Sequence, residues 1–196
     1  MPSRRTIPVW AAALAACSAG SEPSAPFIIM PATLNNGAGV ELQVNGAGVV
    51  DLSAAAVPNM SFQLVANLKP DGTANGHFRF SRESAAGLHE FEGDVTCLTV
   101  DPNFPGRARI GGIVTANTST APSSLTENHE VGDDVWFRVL DDGNGGSAVD
   151  RSTTLGFKPT LVNTSAEYCA LPFADGPFWN PASIFPLAQG TIRVNP

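Results

Sequence analysis

Residues 76–98 read GHFRFSRESAAGLHEFEGDVTCL, two runs of alternating apolar and polar residues joined by a small-residue turn. Phe78 and Phe80 alternate with His77, Arg79 and Ser81, while Phe91, Val95 and Cys97 share a parity opposite Glu90, Glu92 and Asp94. A repeat of two puts successive side chains on opposite faces of a β-strand, here one apolar and one polar. With Ser81 to Leu88 as the connection, the two strands form a hairpin. Its register sets Phe80 beside Phe91, Arg79 beside Glu92 and His77 beside Asp94. Opposite charges facing each other across strands contribute about 0.2–1 kcal/mol each.

The alternation continues on both sides. Val40, Leu42 and Val44 precede it, followed by Phe62, Leu64, Ala66 and Leu68. Ala108, Ile110, Gly112 and Val114 follow, then Val135, Phe137 and Val139, and finally Ile192 and Val194. Turn signals separate these runs at Pro70-Asp71-Gly72, Asp101-Pro102-Asn103 and Asp142-Gly143-Asn144. A connection from Asp101 to Gly106 would set Val100 near Arg107. No long apolar stripe of helical period interrupts the series, and 19 glycines with 16 prolines disfavour helix interiors. The reading is an all-β, single antiparallel β-sandwich or β-barrel domain, since either covers one face of every strand.

Composition bounds the function. The chain has 196 residues, enough for one sizeable domain, and 43% apolar residues, enough for its core. Eleven basic against 18 acidic residues leave a net charge of −7. Nucleic acid is a poor partner for such a surface, because neutralising phosphates requires a basic one.

The N-terminus carries an address. Arg4 and Arg5 precede an uncharged, mostly apolar run from Ile7 to Ala16, and the first acidic residue is Glu22. That is the layout of a secretory signal, too short for a permanent membrane span. The run ends Leu14-Ala15-Ala16-Cys17, which resembles the lipobox of bacterial lipoproteins. In that family a peptidase cuts before the cysteine, whose thiol carries a diacylglyceryl group. The resemblance implies a signal peptide over 1–16, a lipidated Cys17, and a membrane as partner through the anchor. Residues 17–37, rich in Ser, Pro, Ala, Gly and Asn, then read as a flexible tether, with the β domain over 38–196. The alternative is ordinary cleavage at a nearby small residue, with Cys17 incidental.

Three cysteines are an odd number for an exported chain. With lipid on Cys17, Cys97 and Cys169 remain as an even pair in an oxidising compartment. A bond between them contributes about 4 kcal/mol by restricting the unfolded chain. Two buried free thiols are the other reading. No spacing of Cys and His suggests zinc.

Gly76-His77-Phe78-Arg79-Phe80, Val95-Thr96-Cys97-Leu98, Ile110-Gly111-Gly112-Ile113-Val114 and the closing Gly190-Thr191-Ile192-Arg193-Val194 share a further likeness. They resemble a set of uncharacterised exported bacterial proteins, small and β-rich, with a G-x-F-x-F…V-T-C-L…I-G-G-x-V core. The resemblance implies an extracytoplasmic β fold and a structural cysteine. It carries no substrate and no catalytic residue.

Candidate sites are few. His77 lies on a polar strand face, where Asp94 makes a cross-strand surface partner; His89 lies at a strand entry, and His129 in or beside a polar loop from Asn117 to Asn128. No G-x-S-x-G elbow presents a serine nucleophile. Glu90, Glu92 and Asp94 occupy alternate positions of one strand, as a solvated face does. Asp141, Asp142, Asn144 and Asp150 form the densest oxygen cluster and are the candidates for calcium. Their other reading is a wide turn built from residues with backbone freedom. No other cofactor is indicated. Pro172, Pro177, Pro181 and Pro186 interleave with Phe173, Phe178, Trp179 and Phe185, a segment suited to folding over one end or edge of the domain as a plug. Trp136, Phe178, Trp179 and Phe185 are the candidates for a ligand groove, or else they complete the core under the plug.

The functional expectation is a cell-envelope lipoprotein, exported and anchored at the outer side of a bacterial membrane. It would act as a non-catalytic binding or surface module for an envelope partner or small ligand. The alternatives are a small β-barrel enzyme, cyclase- or hydrolase-like, with its pocket in the barrel mouth, and a purely structural envelope protein.

Overall fold

The computed structural model describes residues 39–121, 129–143, 149–154, 162–173 and 184–195. It holds strands β1 (Leu42–Val50), β2 (Met60–Leu68), β3 (Ala74–Ser84), β4 (Gly87–Asp101), β5 (Phe104–Asn117), β6 (Asp134–Leu140), β7 (Arg151–Ser152) and β8 (Phe185–Asn195). A short helix, α1 (Ser165–Ala170), lies between β7 and β8. Each strand pairs antiparallel with the next and β8 returns to β1, so the sheet closes into an eight-stranded barrel. Closure removes both sheet edges, which a sandwich would leave exposed.

The β3–β4 hairpin has the expected register: His77 faces Asp94, Arg79 faces Glu92 and Phe80 faces Phe91. Its connection is shorter than expected, because the ladder runs on to Ser84 and Gly87 and leaves only Ala85 and Ala86 as the turn. The next hairpin departs by one position. Val100 faces Ala108, not Arg107, and the ladder closes on Asp101 and Phe104. The cause is local: Asp101 Oδ1 accepts from Asn103 N at 2.9 Å and tightens the turn, with a register shift beside it.

The barrel interior is apolar. Phe62, Phe78, Phe80, Phe91 and Phe137 are all buried and form a chain of ring contacts with centroids 5.4–6.1 Å apart. Such pairs add about 0.5–1.5 kcal/mol each beyond area burial. Two adjacent glycines serve opposite sides of the wall. A Cβ on Gly112 would lie 2.2 Å from the Asp94 carbonyl oxygen and 2.6 Å from the Phe78 ring, inside the barrel. A Cβ on Gly111 would lie 2.6 Å from Ser165 Cβ and 2.8 Å from Cys97 Sγ, outside it. The exterior of β3 and β4 is charged, with His77, Arg79, Glu92 and Asp94 exposed or half-buried. This polarity is the reverse of a membrane-spanning barrel, whose apolar band faces lipid.

Cys97 does not share the inward face of Phe91 and Val95. A register shift between Val95 and Cys97 leaves Thr96 as an extra residue, and the bulge turns Cys97 to the outer wall. There it forms a disulfide with Cys169 of α1, with a Cα–Cα distance of 6.2 Å. The bond points to an oxidising, extracytoplasmic compartment. Helix α1 is capped by Thr164, whose side chain accepts from Glu167 N, while Glu167 Oε2 accepts from Asn163 N at 2.7 Å. The helix covers the outer face of β5 and β6, so Trp136 (1% exposed) is buried against Tyr168 although its strand parity is outward. Arg109 and Arg138 face each other on that wall and are also buried. Arg109 donates to the carbonyls of Leu171 and Pro172 and fixes the chain after α1. The expected plug therefore begins on the outer wall, at Leu171 to Phe173; residues 174–183 lie outside the described ones.

The seam between β6 and β8 is bridged by β7, which has only two residues. Carboxylates complete the ladder that β7 leaves short. Asp150 Oδ2 accepts from Ile192 N at 2.7 Å and Asp141 Oδ2 accepts from Val194 N at 2.9 Å.

Candidate functional site at the barrel mouth

Strand parity carries two polar side chains onto the inner face at one end of the barrel. Arg82 follows Phe78 and Phe80 at the spacing of two, and His89 precedes Phe91 in the same way. The hairpin register sets Arg82 directly opposite His89. Where the phenylalanine chain ends, these residues form the rim of a partly open pocket of about 170 Å³. Met60, Phe80 and Phe91 give it an apolar floor, and Ser81, Arg82, His89, His129 and Thr154 its polar lining.

His129 enters from the segment that joins β5 to β6. Asn117 Nδ2 donates to the His129 carbonyl at 2.7 Å and holds that segment against the end of β5. The stretch from Asn117 to Ala121, expected as a loose loop, is tied to β4: Thr118 N donates to Glu90 O, and Thr120 N and Ala121 N donate to Leu88 O. So placed, the His129 ring stacks on Phe91 with centroids 4.2 Å apart, and its Nδ1 lies 3.2 Å from His89 Nε2. His129 is only 7% exposed.

Burial, and then the positive charge of Arg82, hold the His89 imidazole below the usual histidine value. At neutral pH His89 is accordingly neutral, facing the guanidinium of Arg82. Among the described residues Arg82 makes no ion pair. The mouth thus combines a cationic rim, a hydrogen-bonded imidazole couple and an aromatic floor.

The residues singled out from sequence are arranged differently. His77 stands between Glu92 (3.8 Å) and Asp94 (3.7 Å) on the exposed outer face, an ordinary surface cluster. Arg79 pairs diagonally with Glu90 at 3.1 Å. Asp141 and Asp150 direct their oxygens at backbone N–H groups of the seam and of Gly143 and Asp142, while Asp142 lies 3.6 Å from Arg151. Asn144 lies outside the described residues. No group of three or more Asp, Glu, His or Cys able to hold a metal occurs among the described residues. Of the groove candidates, Trp136 belongs to the outer cluster with Tyr168, whereas Phe185 packs on the barrel core. They are not brought together; Phe178 and Trp179, like Cys17, lie outside the described residues.

Sequence reasoning named His89 only as a histidine at a strand entry and passed over Arg82, although both residues carried a signal. Both continue an apolar parity with a polar residue at the end of a strand, where a barrel opens. His129 gave no such signal, since a loop delivers it. No protein-family model, curated protein or solved structure matches the chain.

Proposed function

We propose that this protein is an exported binding module of a bacterial cell envelope, held at the outer side of a membrane by lipid on Cys17, and that it takes a small ligand into the barrel mouth. The observation that carries this reading is the pocket itself: a concave space with an aromatic floor and a few convergent polar groups, in a barrel otherwise filled by side chains. The signal-like N-terminus, the lipobox-like Leu14-Ala15-Ala16-Cys17 and the disulfide support the envelope setting.

One observation favours a second reading, an enzyme with its chemistry in the same mouth. The His89–His129 couple sits among aromatic rings, as a general base in a water-poor site would. Among the described lining residues the imidazoles are the groups suited to proton transfer.

The test is occlusion. Small aromatic and aliphatic compounds are screened by saturation-transfer NMR against the wild type and Thr154→Trp, whose indole fills the mouth. Binding to the wild type and its loss in the variant are expected. Equal binding to both would move the ligand site elsewhere, and retained turnover of a bound compound in His89→Gln would remove the enzyme reading.

A further inference from the structure

The pocket also indicates what kind of ligand fits, an inference that rests on the reading of the mouth as a ligand site. An apolar cavity of roughly 150 Å³ accepts a molecule the size of benzene. The mouth, at about 170 Å³, matches one aromatic ring or a short branched chain with a small head group. Its floor of Met60, Phe80 and Phe91 suits the ring or chain. The head group meets the rim, where Arg82 presents a guanidinium.

A half-buried guanidinium with no carboxylate partner among the described residues is an unmet demand. Its five donors fit an anion that presents two oxygens side by side, as carboxylates and phosphates do, and the single guanidinium matches the single charge of a carboxylate. Among the described residues that line the mouth, none is an anion. Thr154 carries a hydroxyl at the same rim and His89 stands directly across from Arg82, while the Ser81 hydroxyl is engaged by Glu90 on the outer wall. Glu90, the nearest acid along β4, faces the outer wall and is held there by Arg79 and by Thr118 Oγ1 at 2.8 Å. A dianion would bring twice the charge that the rim offers.

We infer that the barrel mouth binds a small monocarboxylate with an apolar body of about benzoate size, its carboxylate on Arg82 and its body on Phe80 and Phe91.

Benzoate and its neutral counterpart benzyl alcohol are titrated into the isotope-labelled protein, with chemical shifts followed at Arg82, His89, Phe91 and His129. Benzoate is expected to bind about tenfold or more tightly than benzyl alcohol, as a charge-assisted bidentate contact implies. Arg82→Met, checked for an unchanged melting curve, should level the two, and Arg82→Lys should restore part of the preference. Equal affinities in the wild type would overturn the carboxylate assignment while leaving the pocket as a ligand site. Failure of both probes to shift mouth residues would overturn the assignment together with the reading it rests on. Preference for benzoate that survives Arg82→Met would also overturn it, by placing the anion elsewhere.

Discussion

His89 Nε2 lies 3.2 Å from His129 Nδ1, a contact between the first turns of β4 and a segment delivered from beyond β5. One nitrogen must donate and the other accept, so the bond requires at least one ring to lack a proton at the facing atom. Arg82 from β3, His129 and the Phe91 ring surround His89, and its protonation adds a charge to a half-buried site that already holds one.

The pH dependence follows with a definite sign. His89 binds a proton less readily folded than unfolded, so its contribution to stability is complete above about pH 6.5 and is lost as pH falls below that value. Thermal midpoints should therefore decline from pH 7.5 to 5.5 more steeply in the wild type than in His89→Gln, which keeps an N–H donor for His129 without titrating. Parallel curves for the two proteins would contradict this role.

Replacing Cys97 and Cys169 together by serine should lower stability by about 4 kcal/mol, because the bond closes a loop of 72 positions. The loss is expected to fall on the outer layer. Far-UV circular dichroism should keep the barrel signature, while the near-UV signal of Trp136 stacked on Tyr168 should weaken. Urea melts of the two proteins give the comparison. An unchanged midpoint would mean that α1 is held by Arg109 and packing alone.

Gly111 and Gly112 are neighbours in sequence with separable effects. Gly112→Ala drives a methyl group against the Asp94 carbonyl oxygen of β4 (2.2 Å) and the Phe78 ring (2.6 Å). It should therefore part the β4–β5 ladder as well as disturb the core, at the upper end of or beyond the roughly 1–3 kcal/mol of overpacking. Gly111→Ala directs it at Ser165 and the disulfide, so α1 should shift while the phenylalanine chain stays intact. Aromatic side-chain NMR distinguishes the two outcomes, since only the first disturbs Phe78 and Phe80.

Asp150→Ala leaves Ile192 N without its acceptor and should cost about 1–3 kcal/mol. Hydrogen exchange should speed up at Ile192 first, with little change on β3. Because Asp141 and Asp150 already accept from backbone N–H groups, a calcium chelator should leave the wild-type melting midpoint where it is.

Much of the barrel was legible because alternation reports faces faithfully wherever a strand is regular. Phe62 and Leu64, Phe78 and Phe80, and Val135, Phe137 and Val139 all point inward as their parity requires. The same rule failed at Cys97, where one bulged residue reverses the face of everything after it and leaves no mark in composition. It also failed for Trp136 and Arg138, which have outward parity but are buried by α1. That helix is too short to show a periodic stripe; its signature was Thr164-Ser165-Ala166-Glu167, a capping pattern of four residues. The mouth was half legible. Arg82 and His89 break an apolar parity in a readable way, whereas the arrival of His129 depends on a long-range contact that no local pattern encodes.

A ligand that enters the barrel mouth must perturb the residues that line it, and residue-resolved NMR reads them one by one. Amide and imidazole shifts are mapped as the compounds that bind the wild type are added. The expected result is a single cluster of changes at Phe80, Arg82, His89, Phe91 and His129, absent in Thr154→Trp. Changes centred instead on the outer wall around Trp136 and Tyr168, with the mouth silent, would contradict binding at the mouth.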